Sequence, residues 1–222
     1  MAKNLSRRAL LRAGALGGAG LIAAACTTGQ PQQARPSTGV SPDMALDPDA
    51  KVLLAHFSRA GENYWNGGRR SLRIGNTQVL AEMIASRITC DSYRIEAADP
   101  YPASYDDTVE RNVAEEHADA RPAIANPLPQ ISDYDIVLLG SPVWNVRAPM
   151  IMSTFVHALD LTGKTILPFV TYAVSGIGTV EDDYRNMLPH TSIRTGLAVR
   201  GETAADAGPD IDRWLRTSRL IR

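Results

Sequence analysis

Three short stretches of the 222-residue chain carry residue types that could hold a ligand rather than a fold. Ser58 closes an apolar run, and Gly75-Asn76-Thr77 opens an amphipathic segment. A helix start offers free N–H groups and the positive end of a dipole, so together these residues present uncharged donors suited to a phosphate. For Thr77 alone, an ordinary helix cap explains the residue equally well. "GSPVWNVRAPM", residues 140–150, puts Trp144 just beyond a strand-like run. An indole there either stacks on a ligand or packs under its own loop. "TYAVSGIGTVEDD", residues 171–183, sends Tyr172 out of another apolar run into Ser175-Gly176-Ile177-Gly178, where backbone can approach a ligand closely. A flexible connection would look the same.

The elements that must position these residues alternate along the chain. Lys51–Phe57, Ser92–Ala97, Asp135–Ser141, Thr165–Thr171 and Ile193–Arg200 read as strands. "DIVLLGS" is apolar at consecutive positions, as in strands covered on both faces. Helices are expected over Thr77–Ile88, Ala103–Ala118, Pro149–Leu159, about 180–188 and about 209–217. Such alternation predicts a parallel sheet with helices on both faces, and ligands then bind beyond the carboxyl ends of the strands. The loops leaving the first, third and fourth strands are the three singled out above. The first of them is anomalous: residues 59–74, rich in Gly, Arg and aromatics, are far more than such a connection needs.

Composition restricts the function further. The chain is 44% hydrophobic and 21% charged, with a formal net charge of −1. Residues 1–26 hold Lys3, Arg7, Arg8 and Arg12 and no acid, so the remainder is mildly acidic, and no nucleic-acid partner is expected. Two cysteines make no disulfide framework, and Cys90 reads as a small, partly buried residue. His56, His117, His157 and His190 are scattered without metal-ligand spacing, while Glu115-Glu116 and Asp182-Asp183 read as solvated helix faces. No residue carries a catalytic assignment.

"LSRRALLRAGALGGAGLIAAAC" is a basic segment, then a short apolar stretch ending in small residues. It reads as a signal peptide and resembles the twin-arginine export signal through Ser6-Arg7-Arg8. Ala23-Ala24-Ala25-Cys26 resembles a lipoprotein cleavage box that would anchor Cys26 to the membrane, although ordinary signal peptidase would also accept Ala-x-Ala here. Residues 27–48 hold four prolines and few apolar residues, the composition of a disordered tether. The folded unit is then 49–222, and an exported chain would sit in the cell envelope or periplasm.

"HFSRAGENY…GNTQVLAEMIA", "DPYPASYDDTVERNVAEEHADARPAI", "YDIVLLGSPVWNVRAPM", "GKTILPFVTYAVSGIGTVEDD" and "GLAVRG" resemble, in this order, the flavodoxin-like family, in its bacterial branch with an expanded phosphate loop. The resemblance implies an α/β flavodoxin-like three-layer sandwich with a five-stranded parallel sheet of order 2-1-3-4-5, and FMN as cofactor. Ser58, Asn76 and Thr77 would hold the FMN phosphate. Pro142, Val143, Trp144 and Asn145 would line one side of the isoalloxazine, and Thr171, Tyr172, Ser175 and Gly176 its other edge and pyrimidine end. Residues 59–74 would be that branch's insertion. The sequence departs from the family after Trp144, where a second tryptophan, a glycine and a small polar residue are replaced by Asn145, Val146 and Arg147. An Arg147 beside the flavin would raise its potential; an Arg147 in solvent would not. The implied function is an exported redox protein exchanging electrons with an unidentified donor and acceptor, a quinone among the candidates. The alternative is a binding or scaffold module on the same fold that no longer holds FMN.

Overall fold

A computed structural model describes residues 49–222. The expected signal segment, the Cys26 lipid site and the tether lie outside these residues. The chain runs through β1 (Val52–His56), β2 (Gly61–Trp65), β3 (Gly68–Leu72), α1 (Asn76–Ala85), β4 (Asp91–Arg94) and α2 (Tyr105–His117). It continues through β5 (Ile136–Pro142), α3 (Met150–His157), β6 (Thr165–Tyr172), α4 (Val180–Met187), β7 (Ser192–Ile193), β8 (Leu197–Arg200) and α5 (Gly208–Thr217).

The main sheet is parallel throughout, in the order β4-β1-β5-β6, with β7 and β8 both pairing with β6. This is the expected 2-1-3-4-5 order with its last strand in two pieces. The break has a local cause. Ile166 pairs with Ile193 and Phe169 with Leu197, so three residues on the outer strand oppose two on β6. One of those two is Pro168, which has no N–H to give, and its carbonyl faces the gap, close against Gly196. The freed groups are satisfied elsewhere: the Gly196 amide donates to Glu181 Oε1 at 2.8 Å, and the Trp214 indole donates to the Thr195 carbonyl at 3.0 Å. The second expected strand also stops early, at Arg94, and Ala97 bridges antiparallel to Ile124.

Alternate residues of the central strands feed two cores. Leu53, Ala55, Val137 and Leu139 pack with Ile151, Phe155 and Val156 of α3 and Tyr184 of α4. Val52, Leu54, Ile136 and Leu138 pack with Leu80 and Ile84 of α1 and Ile211 and Leu215 of α5. α2 differs: Thr108, Asn112 and Glu115 are its buried residues. Glu115 corrects the expectation of a solvated face, since it accepts from the Tyr101 phenol at 2.8 Å and from Arg111 Nε at 2.7 Å. Cys90 is partly buried, and burial followed by the Asp91 charge pushes its thiol pKa up, away from reactivity.

His56 ends β1 on the α1 side, 7% exposed, and neither ring nitrogen has a partner among the described residues. Burial first, then the Arg94 charge, lowers its pKa from 6.5 to about 4, against the opposing pull of Glu82. The unfolded chain takes up this proton below pH 6.5 while the folded one does not, so stability falls as pH drops from 6.5 towards about 4. Replacing the ring in His56→Leu is expected to remove about 2 kcal/mol of that acid-induced loss. Urea unfolding of both proteins at neutral and mildly acid pH measures the difference.

Candidate functional site

The site begins where β1 ends and α1 begins. Gly75, the residue before α1, offers no side-chain cap. Ser58 supplies one from the strand instead: its Oγ accepts the Gln78 amide at 3.0 Å. The Ser58 hydroxyl hydrogen is thereby left to donate elsewhere. The amides of Asn76 and Thr77 precede the first intrahelical bond and face outward with it. Thr77 Oγ1 lies 2.7 Å from Thr171 Oγ1, a buried contact that ties the helix start to the end of β6. Gly201 comes so close to the Asn76 carboxamide that a Cβ would stand 2.4 Å from Nδ2.

The anomalous loop is an antiparallel hairpin, β2 and β3, turning at Asn66-Gly67 with φ of 47° and 86°. Those are the left-handed values an Asn-Gly hairpin turn takes. Its root is held by Arg59, whose guanidinium donates to the carbonyls of Pro102 (2.8 Å), Ala103 (3.1 Å) and Glu62. Arg69 makes two bonds to Asp106. At the tip, the Asn66 amide donates to Glu202 Oε1 at 3.0 Å.

Beyond β5, Trp144 and Arg147 exchange both backbone hydrogen bonds, at 2.9 and 3.0 Å, around Asn145 (φ 46°) and Val146 (φ 67°). This is a second two-residue turn of the same form, but with valine where glycine is at ease. The Val146 carbonyl is clamped by the Thr179 amide at 2.7 Å, and the Asn145 carboxamide donates to Glu116 Oε2 at 2.7 Å. A β-branched residue at positive φ carries strain. Val146→Gly is expected to stabilise the fold by about 0.5–1 kcal/mol, the relief outweighing the added unfolded-state entropy. Thermal unfolding reads the sign.

Trp144 packs under its own loop. Its ring meets Phe57 edge-on at 5.7 Å and Tyr101 at 5.1 Å, and the residue also lines the cavity between these loops. Arg147 does not line that cavity: its Nε is 3.5 Å from Asp183 Oδ2. The guanidinium is thus paired with α4.

Of the residues read from sequence, Ser58, Asn76, Thr77, Pro142, Val143, Trp144, Asn145, Thr171, Tyr172 and Ser175 all line this one cavity. Gly176, at φ 63°, does not; its left-handed backbone turns the chain just outside. The cavity also has walls the sequence reading missed. The hairpin contributes Asn63 and Tyr64, and the segment after β8 contributes Gly201 and Glu202. α2 contributes Tyr105, Thr108, Val109 and Asn112, whose spacing of one helical face was the available signal. Among the described residues there is no His/Cys/Asp/Glu group able to hold a metal ion, and no helix is long and apolar enough to cross a membrane.

A doubly wound parallel sheet with its cavity at the strand carboxyl ends, where the order reverses between β1 and β5, defines an open α/β protein of the class whose ligands bind in that crevice. The model of the flavodoxin family matches residues 71–218, and the chain belongs to that family. Among solved structures, a candidate flavoprotein from Bacteroides eggerthii is 28% identical, covering 78% of this chain and all of its own, with a TM-score of 0.63. A second, from Bacteroides uniformis, is 26% identical over 75% of this chain and 98% of its own, with a TM-score of 0.60. A Lactobacillus acidophilus flavoprotein in complex with FMN shares the fold at 18% identity and a TM-score of 0.52, covering 72% of this chain and 99% of its own. A comparison with curated proteins gives no match.

Proposed function

We propose that this chain is an exported FMN-binding redox protein that passes electrons between a donor and an acceptor, a quinone among the candidate acceptors. One observation carries the reading: a single cavity has the Ser58 hydroxyl and the open start of α1 at one part of its wall and the Trp144 ring at another. The first suits a phosphate without formal charge; the second suits a flat heterocycle. The fit is also steric, because Gly75 and Gly201 leave no room for a side chain around Ser58 and Asn76.

When bound, FMN would supply the electron-accepting and electron-donating chemistry, and the chain needs no nucleophile of its own. Its residues would bind and orient. Ser58, Asn76 and Thr77 would donate to the phosphate. Pro142, Val143, Trp144 and Asn145 would flank the ring on one side, with Thr171, Tyr172 and Ser175 on the other; Gly176 would act through the backbone path. The hairpin would cover the phosphate end, corresponding to the expanded loop of the bacterial branch.

Export by the twin-arginine route agrees with this, since that route carries proteins already folded around a cofactor. The basic segment at Arg7-Arg8 supports it, and lipidation at Cys26 would leave the domain tethered to the membrane. The absorption spectrum of the protein purified without added flavin is the test. Flavin bands, with FMN rather than FAD released on denaturation, are expected. A colourless protein that also fails to quench added FMN would leave the scaffold reading in place.

A further inference from the structure

Asn112 lies on the cavity face of α2 and is only 3% exposed. Its Nδ2 donates to Glu116 Oε1 at 2.9 Å. An ionised carboxylate can only accept, so this bond fixes which end of the carboxamide is nitrogen. The remaining end, Oδ1, is buried with no hydrogen-bond partner among the described residues. An unpaired buried acceptor is costly, and it is retained where something else supplies the donor.

The surroundings of Asn112 say what kind of donor. Val109, one turn earlier, is 44% exposed, and Val146 and Val174, which line the same cavity, are 50% and 79% exposed. Tyr105 lies at the start of the same helical face, its ring covered by the Arg69 guanidinium at 4.5 Å. The wall is thus an apolar rim with one fixed acceptor inside it. Glu116 holds it against the Trp144–Arg147 turn, because the same carboxylate receives Asn145 Nδ2 at 2.7 Å. None of these α2 residues belongs to the set assigned to FMN above.

We propose that this α2 wall is the subsite for the second ligand, and that it takes an aromatic compound bearing a hydroxyl group, the chemistry of a reduced quinone. The ring lies on Val109 and Val146, and the hydroxyl donates to Asn112 Oδ1. The inference rests on the flavin reading, in which reduced flavin gives two electrons and two protons to a quinone, leaving oxidised flavin and a hydroquinone. Only the hydroquinone has O–H groups to give, so Asn112 favours the reduced form of the pair. Asn112 is a specificity residue here, and no proton passes through it.

The test uses the full chain loaded with FMN and two redox-inert probes, 2-naphthol and 2-methoxynaphthalene, titrated by calorimetry. They share the ring and differ at the oxygen, where a methyl group in the second replaces the hydrogen that Asn112 would accept. The native protein is expected to bind 2-naphthol about tenfold more tightly. Asn112→Leu is expected to shrink that preference to within about twofold. Val109→Glu, on the exposed rim, is expected to weaken both probes alike. Absence of a preference in the native protein overturns the inference without any substitution. So does a preference that survives Asn112→Leu, or a loss of FMN in that variant, which would make Asn112 a cofactor residue. A native chain that takes up no FMN overturns the proposed function itself, and this inference with it.

Discussion

Gly75→Ala is expected to weaken the proposed FMN binding about 100-fold and to cost about 2–3 kcal/mol of stability. The glycine is not there for its backbone freedom, since φ of −69° and ψ of 147° suit any residue. It is there for space. A Cβ would stand 2.3 Å from Ser58 Oγ, 2.5 Å from the Arg59 carbonyl oxygen and 2.8 Å from its carbon. Two of these atoms are backbone, so the strand end must move, and Ser58 moves with it. That movement breaks the bond to the Gln78 amide and turns the hydroxyl away from the helix start. Ser58→Ala separates the two effects, because it removes the cap without the clash and is expected to cost only about 1 kcal/mol. Flavin-fluorescence titration and urea unfolding of both variants give the answer. An FMN affinity unchanged in Gly75→Ala would remove the β1–α1 junction from the phosphate site.

Gly178→Ala attacks the opposite side of the cavity and is expected to destabilise the protein by about 3 kcal/mol, lowering Tm by about 6–12 °C. Here conformation and space act together. Gly178 has φ of 58°, and a Cβ would lie 2.0 Å from the Val146 carbonyl oxygen and 2.7 Å from its carbon. That oxygen is the one clamped by Thr179, through its amide at 2.7 Å and its hydroxyl at 3.3 Å. The substitution therefore pushes the Trp144–Arg147 turn off its support and shifts the ring that would face the cofactor. Differential scanning calorimetry measures the loss. A Tm within a degree of the native value would show that the turn tolerates displacement.

The sheet was legible from sequence because β1, β5 and β6 are apolar at consecutive positions, as doubly covered strands are, and alternate with amphipathic helical stretches. Ten of the residues read as ligand contacts come together because they end or follow those strands. The hairpin was not legible as such. Asn66-Gly67 is a strong turn signal, but Gly61–Trp65 and Gly68–Leu72 show no apolar alternation, since neither face is covered by a core. The break in the last strand is invisible within residues 193–200, because its cause, Pro168, sits on the neighbouring strand. Glu115 and Glu116 read as solvated, and Thr108 and Asn112 drew no reading, for a different reason. Polar residues at helical spacing look alike whether they face water or a cavity, and only the fold decides. Glu202 could not be found at all, its partner Asn66 being far away in sequence.

The divided last strand also bears on how copies of this protein behave towards one another. It forms the outer rim of the sheet beside β6, where an intact strand would offer a continuous ladder of free amides and carbonyls to any passing chain. Here the ladder is two residues, a dislocation of one, then four. Within the dislocation the Gly196 amide and the Thr195 carbonyl are already taken, by Glu181 and Trp214. An incoming strand would have to slip register midway to follow it, which a regular strand does not do. The proline that interrupts the pairing thus also guards the rim against edge-to-edge aggregation.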